Sequence, residues 1–237
     1  QLCKEAKEIG YDGLEIQLAN PRQYDWNHIK IVCNDSGLEL IAFATGRELG
    51  ENGLCLLSDD ASVRRASIDR LKEHIDCAQS VGCNVIVGSM RKNIPDWSQR
   101  EKYWNYHRDA ILELSDYAKG SGVRIWVENI LSYISNFLNT MRQVQDFVSD
   151  LGRDNVGVHL DTYSMNMEDN DILSVIVPRI WNTCTSLILP GCIPAAATWT
   201  SRLSSMVCGK WTTRDTSPRN ACRCLRRTSV PSAALSI

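Results

Sequence analysis

Negative charge runs out about three-quarters of the way along this chain. Between Ile180 and Ile237 there is one acidic residue, Asp215, and neither Glu nor His occurs there. Ser, Thr, Arg and Cys take their place, a change of composition sharper than one domain ordinarily shows. Other absences narrow the function classes. No apolar run approaches the ~20 residues of a membrane-spanning helix. A net charge of -2 makes no electrostatic case for nucleic acid or an anionic membrane. No GxGxxG follows the first predicted strand, which argues against a dinucleotide fold. The start, Gln1-Leu2-Cys3-Lys4-Glu5, is charged, lacks Met and has no secretory leader, so the chain reads as a fragment whose beginning lies upstream.

What remains is a chain of 237 residues, 43% hydrophobic and 23% charged, enough for one globular domain with a large core. Its ten cysteines divide evenly about the change in composition. Cys3, Cys33, Cys55, Cys77 and Cys83 scatter over predicted helices and strands and read as buried free thiols of a cytoplasmic enzyme. Among the later five, Cys222-Arg223-Cys224 has no zinc-ligand spacing and no His after it.

Helix and strand alternate from the start. Helical spacing over Leu2–Ile9 stops at Gly10, and Leu14–Leu18 alternates as a strand. A short helix over Trp26–Asn34 leads to a strand over Leu38–Ala44. Ser58-Asp59-Asp60 caps a long helix reaching about Val81, with Ile68, Leu71, Ile75 and Ala78 as its apolar stripe. The pattern repeats with a strand at Asn84–Gly88 and a helix over about Glu101–Lys119 that turns Ile111, Leu114 and Tyr117 to the core. A strand at Val123–Glu128, a helix capped by Asn139-Thr140 and a strand at Val156–Asp161 follow. A last helix begins at Ile172–Val177, and there the rhythm fails. Such alternation with short joins specifies βαβ units and a parallel sheet, either open and doubly wound or closed as a (β/α)8 barrel.

Two carboxylates end consecutive strands, Glu128 and Asp161. Parallel neighbours lie about 4.8 Å apart, so both can converge on one cation, and oxygen donors favour a hard or intermediate ion. The alternative is that each caps the loop or helix after it. His159 shares a strand face with Asp161, and either lines the barrel or is a satisfied core histidine. Arg91, after Gly88-Ser89, either meets a substrate hydroxyl or phosphate or is a solvated loop arginine.

Five segments occur in order: Tyr11-Asp12-Gly13-Leu14-Glu15, Val87-Gly88-Ser89-Met90-Arg91, Val127-Glu128-Asn129, Asn136-Phe137-Leu138-Asn139-Thr140, and Val156-Gly157-Val158-His159-Leu160-Asp161-Thr162-Tyr163-Ser164-Met165-Asn166-Met167-Glu168-Asp169. Together they resemble the sugar phosphate isomerase/epimerase family with the xylose isomerase-like TIM barrel, nearest the ketose 3-epimerases of the tagatose and psicose group. The resemblance runs from about Leu2 to Val177. It implies an α/β (β/α)8 barrel, incomplete here. It also implies one divalent metal ion (Mn, Mg or Co) held by a Glu, an Asp, a His and a second Glu. Glu128 and Asp161 match the first two. Glu128 would also move a proton, in a ketose C3 epimerisation through a cis-enediolate. The implied partner is a ketose or sugar phosphate, with no nucleic acid and no membrane, and with room for a homo-oligomer.

Two departures fall on substrate-gripping positions. Ser132-Tyr133-Ile134 stands where the family has Arg-Tyr-Glu, and Ser164 where it often has His. The third and fourth metal ligands belong beyond Val177, in residue types that the tail lacks. Back-translated and shifted by one base from Trp181, however, the tail can read a His-x-His strand, a Pro-Gly-x-Gly-His turn and a Glu-Cys-Leu-Pro strand end. The expectation is therefore a partial barrel over residues 1–179, in which five strands are present, the first is cut off and the last two are replaced by an out-of-frame tail over 180–237. That tail is expected to be irregular, and metal binding by two ligands to be weak. The competing functions are a catalytically inactive relic of the family and an endonuclease IV-like abasic-site enzyme. The latter needs a histidine-rich zinc cluster, whereas of His28, His74, His107 and His159 the first three fall on predicted helices.

Overall fold

The computed structural model describes residues 2–170 and 184–188. Among the described residues six strands form one sheet in chain order, every neighbouring pair parallel. They are β1 (Gly13–Gln17), β2 (Glu39–Ala44), β3 (Asn84–Val87), β4 (Ile125–Glu128), β5 (Val156–Asp161) and β6 (Cys184–Ile188). Helices α1 (Leu2–Ile9), α2 (Trp26–Asp35), α3 (Arg47–Asn52), α4 (Ala61–Val81), α5 (Arg100–Tyr117), α6 (Met141–Leu151) and α7 (Thr162–Glu168) precede or follow them.

The helix starts follow from capping chemistry. The Asp25, Asp60 and Thr140 side chains accept the free amides of α2, α4 and α6, and Thr140 with Gln143 completes a reciprocal capping box. Gly82, at φ 76°, turns the chain out of α4 and straight into β3.

Two apolar clusters separate the faces of the sheet. The large one packs helices on strands and includes Phe43, Leu71, Ile75, Val85, Ile111, Val127 and Phe147. The small one, Ala42, Ala44, Ile86 and Trp126, lies on the opposite face. Pleat alternation explains the split, since Phe43 and Val85 point one way and Ala42 and Ile86 the other. The small-cluster face is the concave, barrel-interior one, because His159 of β5 reaches Glu15 of β1 across it.

Two expectations change. Tyr117 does not face the core: it is 45% exposed and its hydroxyl donates to Asp76, while Ala118, nearly in line with Ile111 on the helical wheel, is buried. A sixth strand forms where five were expected, as Cys184–Ile188 pairs with β5. An open parallel edge accepts any extended segment able to present its amides, and Cys-Thr-Ser-Leu-Ile is one. Two short helices, α3 at Arg47–Asn52 and α7 at Thr162–Glu168, also form where no element was predicted. The helix expected at Ile172–Val177, the break at Val177–Trp181 and the tail apart from β6 lie outside the described residues. Cys3, Cys33, Cys55, Cys77 and Cys83 are free thiols, and Cys33, Cys55 and Cys83 are buried. No described helix is long and apolar enough to cross a membrane.

Candidate functional site

The carboxyl ends of the strands bring Glu15, Glu128 and His159 together. Glu128 pairs in register with His159, which puts the two side chains side by side on the concave face. His159 Nδ1 is 3.5 Å from Glu128 Oε1, and its Nε2 is 3.2 Å from Glu15 Oε2. The imidazole is 2% exposed and each carboxylate side chain 20%. Trp126, two residues before Glu128 and so on the same face, lies nearly parallel to the ring with centroids 6.5 Å apart. Burial pushes His159 down. The facing carboxylates of Glu128 and Glu15 push it up and prevail, at about 10. Neither ring nitrogen is aligned as a hydrogen-bond donor, and Glu15 Oε2 has no hydrogen-bond partner, so the contacts are charge contacts. The ring is buried on the interior face of the sheet between two acids.

Glu128 has a seat in the backbone. A Cβ added at Gly88 would stand 2.1 Å from its Oε2. Glycine at the end of β3 therefore makes the space that the β4 carboxylate uses.

Asp161 lies one pleat repeat beyond His159. Its Oδ1 accepts the Tyr163 amide at 2.9 Å and its Oδ2 accepts the Ser164 hydroxyl at 2.6 Å. Ser164 is 2% exposed. This is the capping alternative, realised on α7, and it ties Ser164 to Asp161.

Arg91 is neither solvated nor on the surface. It is 0% exposed, and its guanidinium donates to the Glu128 carbonyl at 2.7 Å and to those of Val87 and Leu138 at 3.5 Å. Burial lowers it to about 10 against the upward pull of the Glu128 charge.

Glu15 and Trp126 were not singled out by the sequence reading. Glu15 lies inside a quoted motif, on a strand whose alternation puts it with Gln17 on one face. That spacing was a usable signal; its meeting with His159 was not.

Two oxygen donors on adjacent strands, Glu128 and Asp161, suit a hard cation but stop at half of a four-ligand set. Among the described residues no group of three His, Cys, Asp or Glu side chains is placed to hold a metal ion. Both Asp161 oxygens already serve the cap. His28, His74 and His107 sit on α2, α4 and α5, and among the described residues no histidine-rich cluster assembles either.

A parallel sheet of βα units with its polar residues gathered at the carboxyl rim defines a barrel of the TIM class. Residues 3–184 match the family model of the xylose isomerase-like TIM barrel, and the chain belongs to that family. It is 29% identical over 179 residues to a ketose 3-epimerase of Arthrobacter globiformis, covering 73% of this chain and 60% of that enzyme's length. The fold matches a D-allulose 3-epimerase from Methylomonas sp., solved in complex with D-allulose, with a TM-score of 0.67. That match has 22% identity and covers 85% of this chain and 72% of that one. It also matches the IOLI protein, solved with a binding zinc atom, with a TM-score of 0.63. Here the identity is 18%, and 78% of this chain and 66% of that one are covered.

Proposed function

We propose that the site belongs to a sugar epimerase acting at C3 of a ketose or ketose phosphate, with Glu128 as the residue that moves the proton. The observation that carries this is the Glu128 carboxylate, seated at Gly88 on the concave rim and paired with His159. A carboxylate so held can take the proton from the carbon beside a ketose carbonyl; the C–H electron pair forms the C2–C3 double bond and the negative charge moves to the former carbonyl oxygen, giving a cis-enediolate. His159 offers a polar hydrogen against the same face, and the Trp126 plane limits where the ring can tilt. The likeness to a ketose 3-epimerase supports the substrate class. One divalent ion (Mn, Mg or Co) would be held by Glu128 and Asp161 and would supply charge stabilisation of the enediolate oxygens. The IOLI neighbour's zinc supports a metal in this fold. Arg91 acts from beneath the rim rather than on substrate in this reading, and Ser164 acts through Asp161.

A second reading, an inactive relic of the family, draws on a different observation. Both Asp161 oxygens are engaged and no third donor joins them among the described residues. The test is incubation of the full chain with Mn2+ and ketohexoses in D2O, following deuterium entry at C3 by NMR. Deuterium entry that disappears in Glu128→Gln supports the epimerase; none at any metal concentration supports the relic. We further propose that residues 180–237 arise from a one-base shift. Nucleotide sequencing across the codons for Ile172–Thr185, in genome and transcript, decides that question, and an unchanged frame in both removes it.

A further inference from the structure

We propose that Arg91 is a positioning residue for Glu128: its buried guanidinium clamps the end of β4 and the loop after it, so that the carboxylate stays in its seat at Gly88. The proposal rests on the reading of Glu128 as the proton-moving group.

A fully buried guanidinium without a facing carboxylate is costly to keep. None of the ion pairs among the described residues involves Arg91. Its hydrogen bonds go instead to main-chain carbonyls from three places: Val87 at the end of β3, Glu128 at the end of β4, and Leu138 in the loop beyond β4. The 2.7 Å bond to Glu128 is the shortest of the three. One planar cation thus ties two neighbouring strand ends and a loop, a task that suits the fork of arginine and not the single point of lysine.

The surroundings show the same device. Among the described residues only Lys92 (φ 59°) and Leu138 (φ 56°) hold a left-handed backbone without being glycine. One follows Arg91 in the chain and the other accepts from it. Strained backbone persists where neighbours over-determine it. Here they do: Asn136 and Ile94 exchange hydrogen bonds at 2.7 and 3.0 Å, the Ser135 hydroxyl donates to the Lys92 carbonyl at 2.7 Å, and the Asn139 amide donates to Ile130 at 2.6 Å. The loop after β3 and the loop after β4 are laced into one block. Gly88 and Arg91 belong to the same short segment. It therefore fixes Glu128 twice, leaving room for its carboxylate and holding its carbonyl.

The test uses the full chain, isotope-labelled. In the unaltered protein, a through-hydrogen-bond coupling between Arg91 Nη2 and the Glu128 carbonyl carbon is expected; its absence overturns the proposal without any variant. Arg91→Lys is then compared with Ile111→Val, a core change on α5. Arg91→Lys should broaden or shift the Glu128 carboxylate carbon resonance. It should also lower kcat for C3 exchange roughly 10- to 100-fold with KM within about twofold. Ile111→Val should lower the unfolding midpoint alone. If Arg91→Lys lowers the midpoint but leaves the Glu128 resonance and kcat unchanged, Arg91 is a core strut only. A chain with no exchange activity refutes the epimerase reading, and the coupling and the Glu128 resonance still decide the role of Arg91.

Discussion

His159 of β5 stands 3.2 Å from Glu15 of β1, although three strands separate them in the sheet. A flat sheet would hold strands four steps apart by about 19 Å, too far for an imidazole and a carboxylate to meet. The contact therefore reports curvature: the sheet has rolled far enough for its interior face to hold a polar cluster in common. It also means that Glu128 shares its histidine with a second acid from the far side of the barrel.

That sharing predicts the behaviour of Glu15→Gln. The substitution keeps the shape and removes one of two charges facing a nearly fully buried ring. Breaking a wholly buried pair costs several kcal/mol, but the Glu15 side chain is 20% exposed, so a loss of about 1–3 kcal/mol is expected. Urea unfolding at neutral pH measures it, and an unchanged midpoint would show that the pair contributes nothing net.

Gly88→Ala tests the seat of Glu128. The new methyl would lie 2.1 Å from Oε2, so the carboxylate must leave its position. C3 exchange is expected to fall about 10- to 100-fold, with a stability loss of about 1–3 kcal/mol. Full retention of the unaltered protein's rate would place the working position of Glu128 elsewhere.

Acid sensitivity has one clear source on the outer face. Hydrogen bonds from Arg65 and Lys72, with their charges, hold Glu113 down at about 2 against an ordinary 4.5. Because the folded value is the lower one, the pair's stabilisation is present above pH 4.5 and drains away as pH falls toward 2. Glu113 is 39% exposed, so solvent screening limits the contribution to under about 1 kcal/mol. Urea midpoints of the unaltered chain and Glu113→Gln should differ at pH 7, draw together below pH 4.5 and converge only near about pH 2. A gap that widened on acidification would contradict this assignment.

His107 offers a prediction with the opposite sign. Both ring nitrogens are buried without a hydrogen-bond partner, and the ring stacks on Phe147 with centroids 4.9 Å apart. Burial, then the charge of Arg91, pushes it well below the usual histidine range, so it is neutral at pH 7. Replacing an unsatisfied polar ring by an apolar one of similar shape removes a desolvation cost. His107→Phe should therefore be neutral or raise stability by about 1 kcal/mol. Thermal unfolding decides this, and a marked drop would mean that the imidazole has a partner after all.

Much of the site was legible before any tertiary contact was known, and for local reasons. Glu128 and Asp161 each close an apolar strand, and strand ends of a parallel βα chain gather on one rim. The caps at Asp60 and Thr140 and the stop at Gly82 could be read from short-range hydrogen bonding and backbone sterics. Asp161 as a cap of α7 was one of two readings left open at that stage, and the geometry of Tyr163 and Ser164 now shows it in place.

Residue order and local chemistry determined the alternation of helix and strand, the parallel sheet and the two carboxylates at its rim. Each depends on partners within a few residues or on a period that repeats along the chain. Only the tertiary structure decided that Arg91 lies beneath the rim, that His159 sits between two acids, and that Gly88 leaves room for Glu128. Those facts depend on how far the sheet curls and how adjacent strands register. Curl and register are set by packing summed over many distant residues, so no short stretch of sequence contains them.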